Sequence, residues 1–289
     1  MKKISFTLSE KFHLLFFLLM ISTHIATAEV EELQIRVHGD ASLPTLVYLP
    51  GLQGDWTLVG SFRAAVAGKV RFVEFTYPRT LDWSLEKYAE EIEKALLQNG
   101  ITHGWLLGES FGSQIVWPLA TRAQNGNSTF RADGIILAGG FVKHPNALGV
   151  RFAKSFSGSL PQPCFKLGLS FYAKYAKFRH HRAPETLAHI DEFVARRTEP
   201  DRQAMKHRLR LIAANDPRPL AKKISVPVFA LAGFWDPIVP RFLTQRWLKR
   251  NCPAYRNWKT IYNADHNVLG TAPQKSADII LPWMRPTGS

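Results

Sequence analysis

Short β-rich runs alternating with helical patterns along most of the chain restrict its fold more than any other feature. "LQIRVHG" (33–39) alternates apolar and polar residues as a half-buried strand does, while "PTLVYLPG" (44–51) and "KVRFVEFTYP" (69–78) contain β-rich runs ended by Gly or Pro. A strand over 103–108, "DGIILAGGF" (133–141), "SVPVFALAGFWD" (225–236) and "NWKTIYNADH" (257–266) follow. The clearest helix is "SLEKYAEEIEKALLQNG" (84–100), with Leu85, Tyr88, Ala89, Ile92 and Leu96 on one face and Gly100 beyond its end. Another helix begins after Ser110. Strands separated by helices predict an α/β protein whose mostly parallel sheet is covered on both faces, with ligands outside the carboxyl ends of its strands. No internal repeat or low-complexity tract breaks the order.

At 289 residues and 46% hydrophobic, the chain is long enough to bury a substantial core. Its first residues read as an export signal: Lys2, Lys3 and Lys11 precede or flank the apolar "FHLLFFLLMI" (12–21), and "ATA" (26–28) offers a small-residue cleavage site. Cleavage near Ala28 predicts a periplasmic or secreted protein of residues 29–289. An uncleaved membrane anchor is the alternative, although the apolar run is about half of the roughly 20 residues that a spanning helix needs. Export leaves Cys164 and Cys252, two distant cysteines without a framework pattern, so their pairing stays open. The net charge is +14; three lysines and Glu10 lie in the leader, which leaves +12 on the mature chain.

Within the α/β order, "WLLGESFGSQIVW" (105–117) stands out. Gly108-Glu109-Ser110-Phe111-Gly112 falls between a predicted strand and a predicted helix, the setting in which G-x-S-x-G forms a nucleophile elbow. Flanking glycines permit a tight, strained turn that lifts the serine oxygen above the sheet. A serine hydroxyl needs a base to take its proton, so the motif predicts a histidine and an acid elsewhere in the chain. Asp236 ends the strand "VPVFALAGFW" and His266 directly follows "NWKTIYNAD", in the order Ser, acid, His. Each has an ordinary reading too: Asp236 as a turn initiator before Pro237, His266 as a surface residue. Asp265 adjoins the histidine and points elsewhere, and Asp133 and Asp216 precede strands.

These motifs, together with "LPGLQGD", "GFWDPIVP" and "ADHNVL", resemble those of the Ser-His-Asp members of the α/β-hydrolase superfamily over nearly the whole mature chain. The resemblance implies a mostly parallel sheet of the eight-stranded type, flanked by helices, with a helical cap inserted at about 142–222. It implies Ser110 as nucleophile, His266 as general base and then acid, and Asp236 as the group that orients the imidazole. It also implies an oxyanion hole of backbone N–H groups, one from Phe111 and one from the loop after the family's third strand, Leu52 being the first choice and Gln53 the second. Where relatives often have His-Gly in that loop, this chain has Pro50-Gly51.

The implied reaction is hydrolysis of a carboxylic ester or related acyl bond, a thioester or an amide, through an acyl-enzyme on Ser110. The same machinery would serve an acyltransferase or a cofactor-free lyase, and a lipid- or ligand-binding member of the fold without turnover is the non-enzymatic alternative. No cofactor and no metal is implied, and the remaining histidines, His180 and His181 included, lack ligand-like spacing. Gln53, Trp56 and Trp235 adjoin the implied loops and are candidates for the substrate pocket, although aromatics in such places are commonly core.

The segment 151–218 carries 14 Lys/Arg against 6 Asp/Glu. Inside it Leu167, Phe171, Tyr175 and Phe178 recur at helical spacing, with Lys166, Lys174 and Lys177 on a different arc. One reading packs these aromatics on the core; the other is a cationic amphipathic helix that touches anionic lipid or guides an anionic acyl substrate. Nucleic acid is not expected, because no recognised binding motif accompanies the charge. Oligomeric state is not legible.

Overall fold

The computed structural model describes residues 32–126, 128–146, scattered positions between 167 and 194, and 198–285. The leader (1–28), Cys164, Lys166, His180 and His181 lie outside the described residues. Seven strands form one sheet: β1 (Gln34–His38), β2 (Thr45–Leu49), β3 (Arg71–Thr76), β4 (His103–Glu109), β5 (Arg131–Ala138), β6 (Val228–Gly233) and β7 (Tyr255–Ile261). Their spatial order is β1-β3-β2-β4-β5-β6-β7, with β1 antiparallel to β3 and every other pair parallel. Among the described residues the sheet is thus one strand short of the eight-stranded type, and the loop expected after a third strand follows β2.

The helices are α1 (Gly60–Val66), α2 (Leu85–Gln98), α3 (Gly112–Gln124), α4 (Glu199–Ala214), α5 (Arg218–Ala221), α6 (Arg241–Asn251), α7 (Val268–Thr271) and α8 (Pro273–Trp283). Side chains alternate across a strand, so each central strand feeds two cores. Val47 and Leu49 of β2, Leu106 of β4 and Ile135 and Leu137 of β5 meet Ile92 of α2, Ile115 of α3 and Leu248 of α6 on one face. Leu46, Tyr48, Leu107, Ile136 and Leu231 meet Phe62 of α1 and Ile280 of α8 on the other. Burial on both faces is why the central strands read as unbroken apolar runs.

α2 forms as its pattern predicts: Ser84 accepts from the Lys87 N–H at the start, and Gly100, at φ +67, follows the Asn99 cap. Of the predicted cap, the described positions from 167 to 178 and from 187 to 194 are helical. Leu167, Phe171, Tyr175 and Phe178 are exposed rather than packed on the core. Lys177 pairs with Asp191 at 2.6 Å. α4, inside the span expected for the cap, is tied to the loop at the carboxyl end of β3, where Asp201 pairs with Arg79 at 2.7 Å and His207 Nε2 donates to the Trp83 carbonyl at 2.8 Å. Cys252 is buried with a free thiol, and burial raises its pKa.

Candidate active site

β4 ends at Glu109 and α3 begins at Gly112, so the chain reverses its geometry across Ser110 and Phe111. Ser110 adopts φ +47, the sole positive φ at a non-glycine position among the described residues. Such a conformation costs of order 1–3 kcal/mol and persists only where the surroundings enforce it. They do so here through glycine. A Cβ on Gly112 would stand 2.0 Å from the Leu49 carbonyl oxygen, and one on Gly108 2.8 Å from the Ser113 Cα. The elbow therefore sits hard against β2 and the first turn of α3, with the Ser110 N–H donating to the Ala138 carbonyl at 3.2 Å.

The expected partners arrive from the carboxyl ends of β6 and β7, which finish level because Gly233 pairs with Ile261. His266 lies five residues past the end of β7 rather than directly after it, because a turn closed by the Ala264 N–H on the Ile261 carbonyl comes between. His266 Nε2 is 2.9 Å from Ser110 Oγ, and Nδ1 is 2.8 Å from Asp236 Oδ2. The other Asp236 oxygen accepts the N–H groups of Ile238 (2.8 Å) and Val239 (2.9 Å), which fixes the carboxylate in its turn. Burial acts to lower the His266 pKa, but the Asp236 carboxylate, aided by Glu109 and Asp265, outweighs it and raises the pKa above the ordinary value. Chemically, an imidazole so held can take the proton of a hydroxyl at Ser110 while a carboxylate stabilises the charge it acquires.

The structure treats the other candidates unequally. Leu52 and Gln53 lie in the turn after β2, closed by the Gly54 N–H on the Gly51 carbonyl at 3.0 Å, and Gly51 sits between the Gln53 side chain and Ser110. The Phe111 side chain is fully buried beside Tyr77 and Tyr88, so only its backbone can serve the site. Trp56 is a core residue with Arg36 stacked over its ring at 3.8 Å, which corrects its assignment to the pocket. Trp235 stands exposed beside Asp236, edge-on to Phe234.

Two buried groups escaped the sequence reading. Glu109 accepts hydrogen bonds from the Tyr48 hydroxyl and the Gln53 side chain; burial raises its pKa, opposed by those bonds and by His266. Arg208 of α4 is 2% exposed and meets backbone oxygens instead of a carboxylate. Its Nη1 donates to the Leu52 and Gln53 carbonyls at 3.0 and 3.1 Å, and its Nη2 to the Pro78 carbonyl at 3.2 Å. Gly54, at φ +81, makes room: a Cβ there would fall 2.4 Å from Nη1. Nothing local in the sequence signals Arg208, whereas Glu109 was visible as a variable position of the motif.

A cavity of about 390 Å³ adjoins the acid turn, lined by Val142, His144, Pro145, Leu243 and Trp247 among others. Burial, with a smaller contribution from His266, holds the His144 imidazole below its ordinary pKa. Among the described residues no group of three or more His, Cys, Asp or Glu side chains is placed to hold a metal ion, and no helix is long and apolar enough to cross a membrane.

No protein-family model matches the chain, and no curated protein matches its sequence. Solved structures do match in shape. A thermophilic esterase from Thermogutta terrifontis superposes with a TM-score of 0.68 at 19% identity, over 88% of this chain and 93% of that one. An esterase from Exiguobacterium antarcticum gives 0.70 at 14% identity over 88% and 96%. The enol-lactonase from Burkholderia xenovorans LB400 gives 0.62 at 20% identity over 87% and 94%. The chain has the α/β-hydrolase fold.

Proposed function

We propose that this protein is a serine hydrolase that cleaves a carboxylic ester or a related acyl bond. The hydrogen-bonded line from Asp236 through His266 to a Ser110 held at positive φ carries the reading. In the reaction His266 Nε2 takes the Ser110 proton as Oγ attacks the carbonyl carbon. The resulting oxyanion is held by backbone N–H groups of Phe111 and the Gly51–Gly54 turn, with Leu52 the first choice, and collapse of the intermediate expels the alcohol, protonated by His266. Water, deprotonated by the same imidazole, then attacks the acyl-enzyme and frees the acid. Several solved structures of similar shape are of esterases, which supports an ester as the bond cleaved.

The test is kinetic. A panel of p-nitrophenyl esters of rising acyl length is hydrolysed by the purified protein, and Ser110→Ala lowers kcat/KM by several orders of magnitude. Retention of most activity by that variant overturns the reading. Release of p-nitrophenol without free acid, when an alcohol is supplied, points to acyl transfer instead.

A further inference from the structure

We infer that the face formed by α6 and the acid turn is a docking surface for an anionic lipid surface. From Pro237 to Ala264 the chain holds six cations (Arg241, Arg246, Lys249, Arg250, Arg256 and Lys259) and no Asp or Glu. None of the six forms a salt bridge among the described residues, although cations elsewhere pair freely, as Arg63 does with Glu74 and Arg122 with Glu93. The charge is one-sided on the helix as well. At about 100° per residue, Lys249, Phe242, Arg246 and Arg250 occupy one exposed arc of α6, while Thr244 and Leu248 fill the buried arc and half-buried Arg241 borders it.

Apolar side chains stand among these charges. Trp235, Phe242 and Tyr262 are 61%, 62% and 67% exposed, whereas most large aromatics outside the predicted cap are buried. Trp235 and Tyr262 belong to one patch: Phe234 stacks on Tyr262 at 5.2 Å and meets Trp235 edge-on at 5.3 Å, and the Arg241 guanidinium lies 4.6 Å from the Phe234 ring centre, joining the patch to the start of α6, whose next residue is Phe242. Contiguous exposed aromatics rimmed by charge mark interaction sites. Rings that bury their bodies at the headgroup level beside unpaired cations match the chemistry of an anionic bilayer interface. A protein partner of ordinary composition would have to supply several carboxylates and an apolar face together; a bilayer containing anionic lipid supplies both by its nature.

The patch adjoins the turn that carries Asp236. The inference concerns binding and stands apart from the hydrolytic reading, since neither Ser110 nor His266 takes part in it.

The experiment is vesicle flotation of the full chain with phosphatidylcholine vesicles and with vesicles that also contain phosphatidylglycerol. The anionic vesicles are bound more than tenfold more tightly, and added salt reverses the gain, because each cation near an anionic surface contributes roughly fivefold. Arg246→Gln with Lys249→Gln weakens binding to the anionic vesicles about 25-fold by the same reasoning, while Phe242→Ser weakens binding to both kinds. Unchanged thermal unfolding of these variants shows that they remain folded. Equal binding to the two vesicles, or full binding by the double variant, overturns the proposal. So does tighter binding to a DNA duplex than to anionic vesicles, or self-association of the chain that the same substitutions abolish without any vesicle binding.

Discussion

The Arg208 guanidinium donates to the Leu52 carbonyl at 3.0 Å, which ties α4, within the span predicted for the cap, to the turn that faces Ser110. A carbonyl and the next residue's N–H point in opposite directions across one peptide plane. By gripping the carbonyls of Leu52 and Gln53, Arg208 fixes the planes that carry the N–H groups of Gln53, the second-choice oxyanion donor, and of Gly54. Replacing it with Ala releases three carbonyls, one buried and two partly buried. The expected result is a fall in kcat of about 100-fold with KM nearly unchanged, the size of losing one oxyanion donor. Free guanidinium restores part of the rate in Arg208→Ala, and Arg208→Lys recovers less than half of the loss on a logarithmic scale because an ammonium cannot reproduce the fork. Steady-state kinetics with and without guanidinium check this; equal losses in an unfolded variant are recognised by its melting curve.

The environment of His266 sets a pH dependence. Its pKa is raised, so the neutral imidazole needed as a base is lost at a higher pH than for an isolated histidine. The acidic limb of kcat/KM therefore titrates above the ordinary value of about 6.5. Glu109→Gln removes one of the carboxylates that raise it and moves the limb to lower pH. The linked stability has the opposite sense: it is present in full below the unfolded pKa and is lost as pH rises through the folded one. A pH–rate profile and a pH series of unfolding midpoints measure the two separately.

Gly112 tests the strain at the elbow. Its missing Cβ leaves room for the Leu49 carbonyl, 2.0 Å from where that atom would be. Gly112→Ala forces α3 away from β2 and lowers stability by about 1–3 kcal/mol, as overpacking does. Activity falls more than stability alone explains, because Leu49 leads directly into the turn with Leu52. Urea unfolding together with kcat at saturating ester separates these effects.

The sheet and the Ser110, Asp236 and His266 set were legible because their signals are local: apolar runs ended by Gly or Pro, two glycines around a serine, a polar residue just past a strand. Arg208 was not. Its acceptors are backbone oxygens 130 to 156 residues away in sequence, and no side chain there reports the pairing. Trp56 was misplaced for a related reason, since adjacency to a loop does not say on which side of the sheet a ring falls, and here it turns into the core under Arg36. Spacing placed Leu167, Phe171, Tyr175 and Phe178 on one helical face, but what covers a face is a tertiary fact, and all four are exposed. Exposed cations on α6 were readable in composition and invisible as a patch until Arg241 was seen beside Phe234.

Asp236→Asn probes the support of the imidazole. The carboxylate contacts Nδ1 at 2.8 Å while its other oxygen is fixed by two backbone N–H groups, so an amide keeps the turn and loses the charge. The expected result is a loss of several orders of magnitude in kcat, with the His266 pKa lowered, at a folded stability near that of the parent. NMR titration of the His266 ring in Ser110→Ala and in Ser110→Ala/Asp236→Asn reads the pKa directly.

The most direct measurement of the central claim is covalent: the full chain is treated with a fluorophosphonate and the modified residue is mapped by mass spectrometry. The account predicts a single label on Ser110, lost in His266→Ala and slowed in Arg208→Ala. A label on another residue, or an unlabelled protein that remains folded, contradicts it.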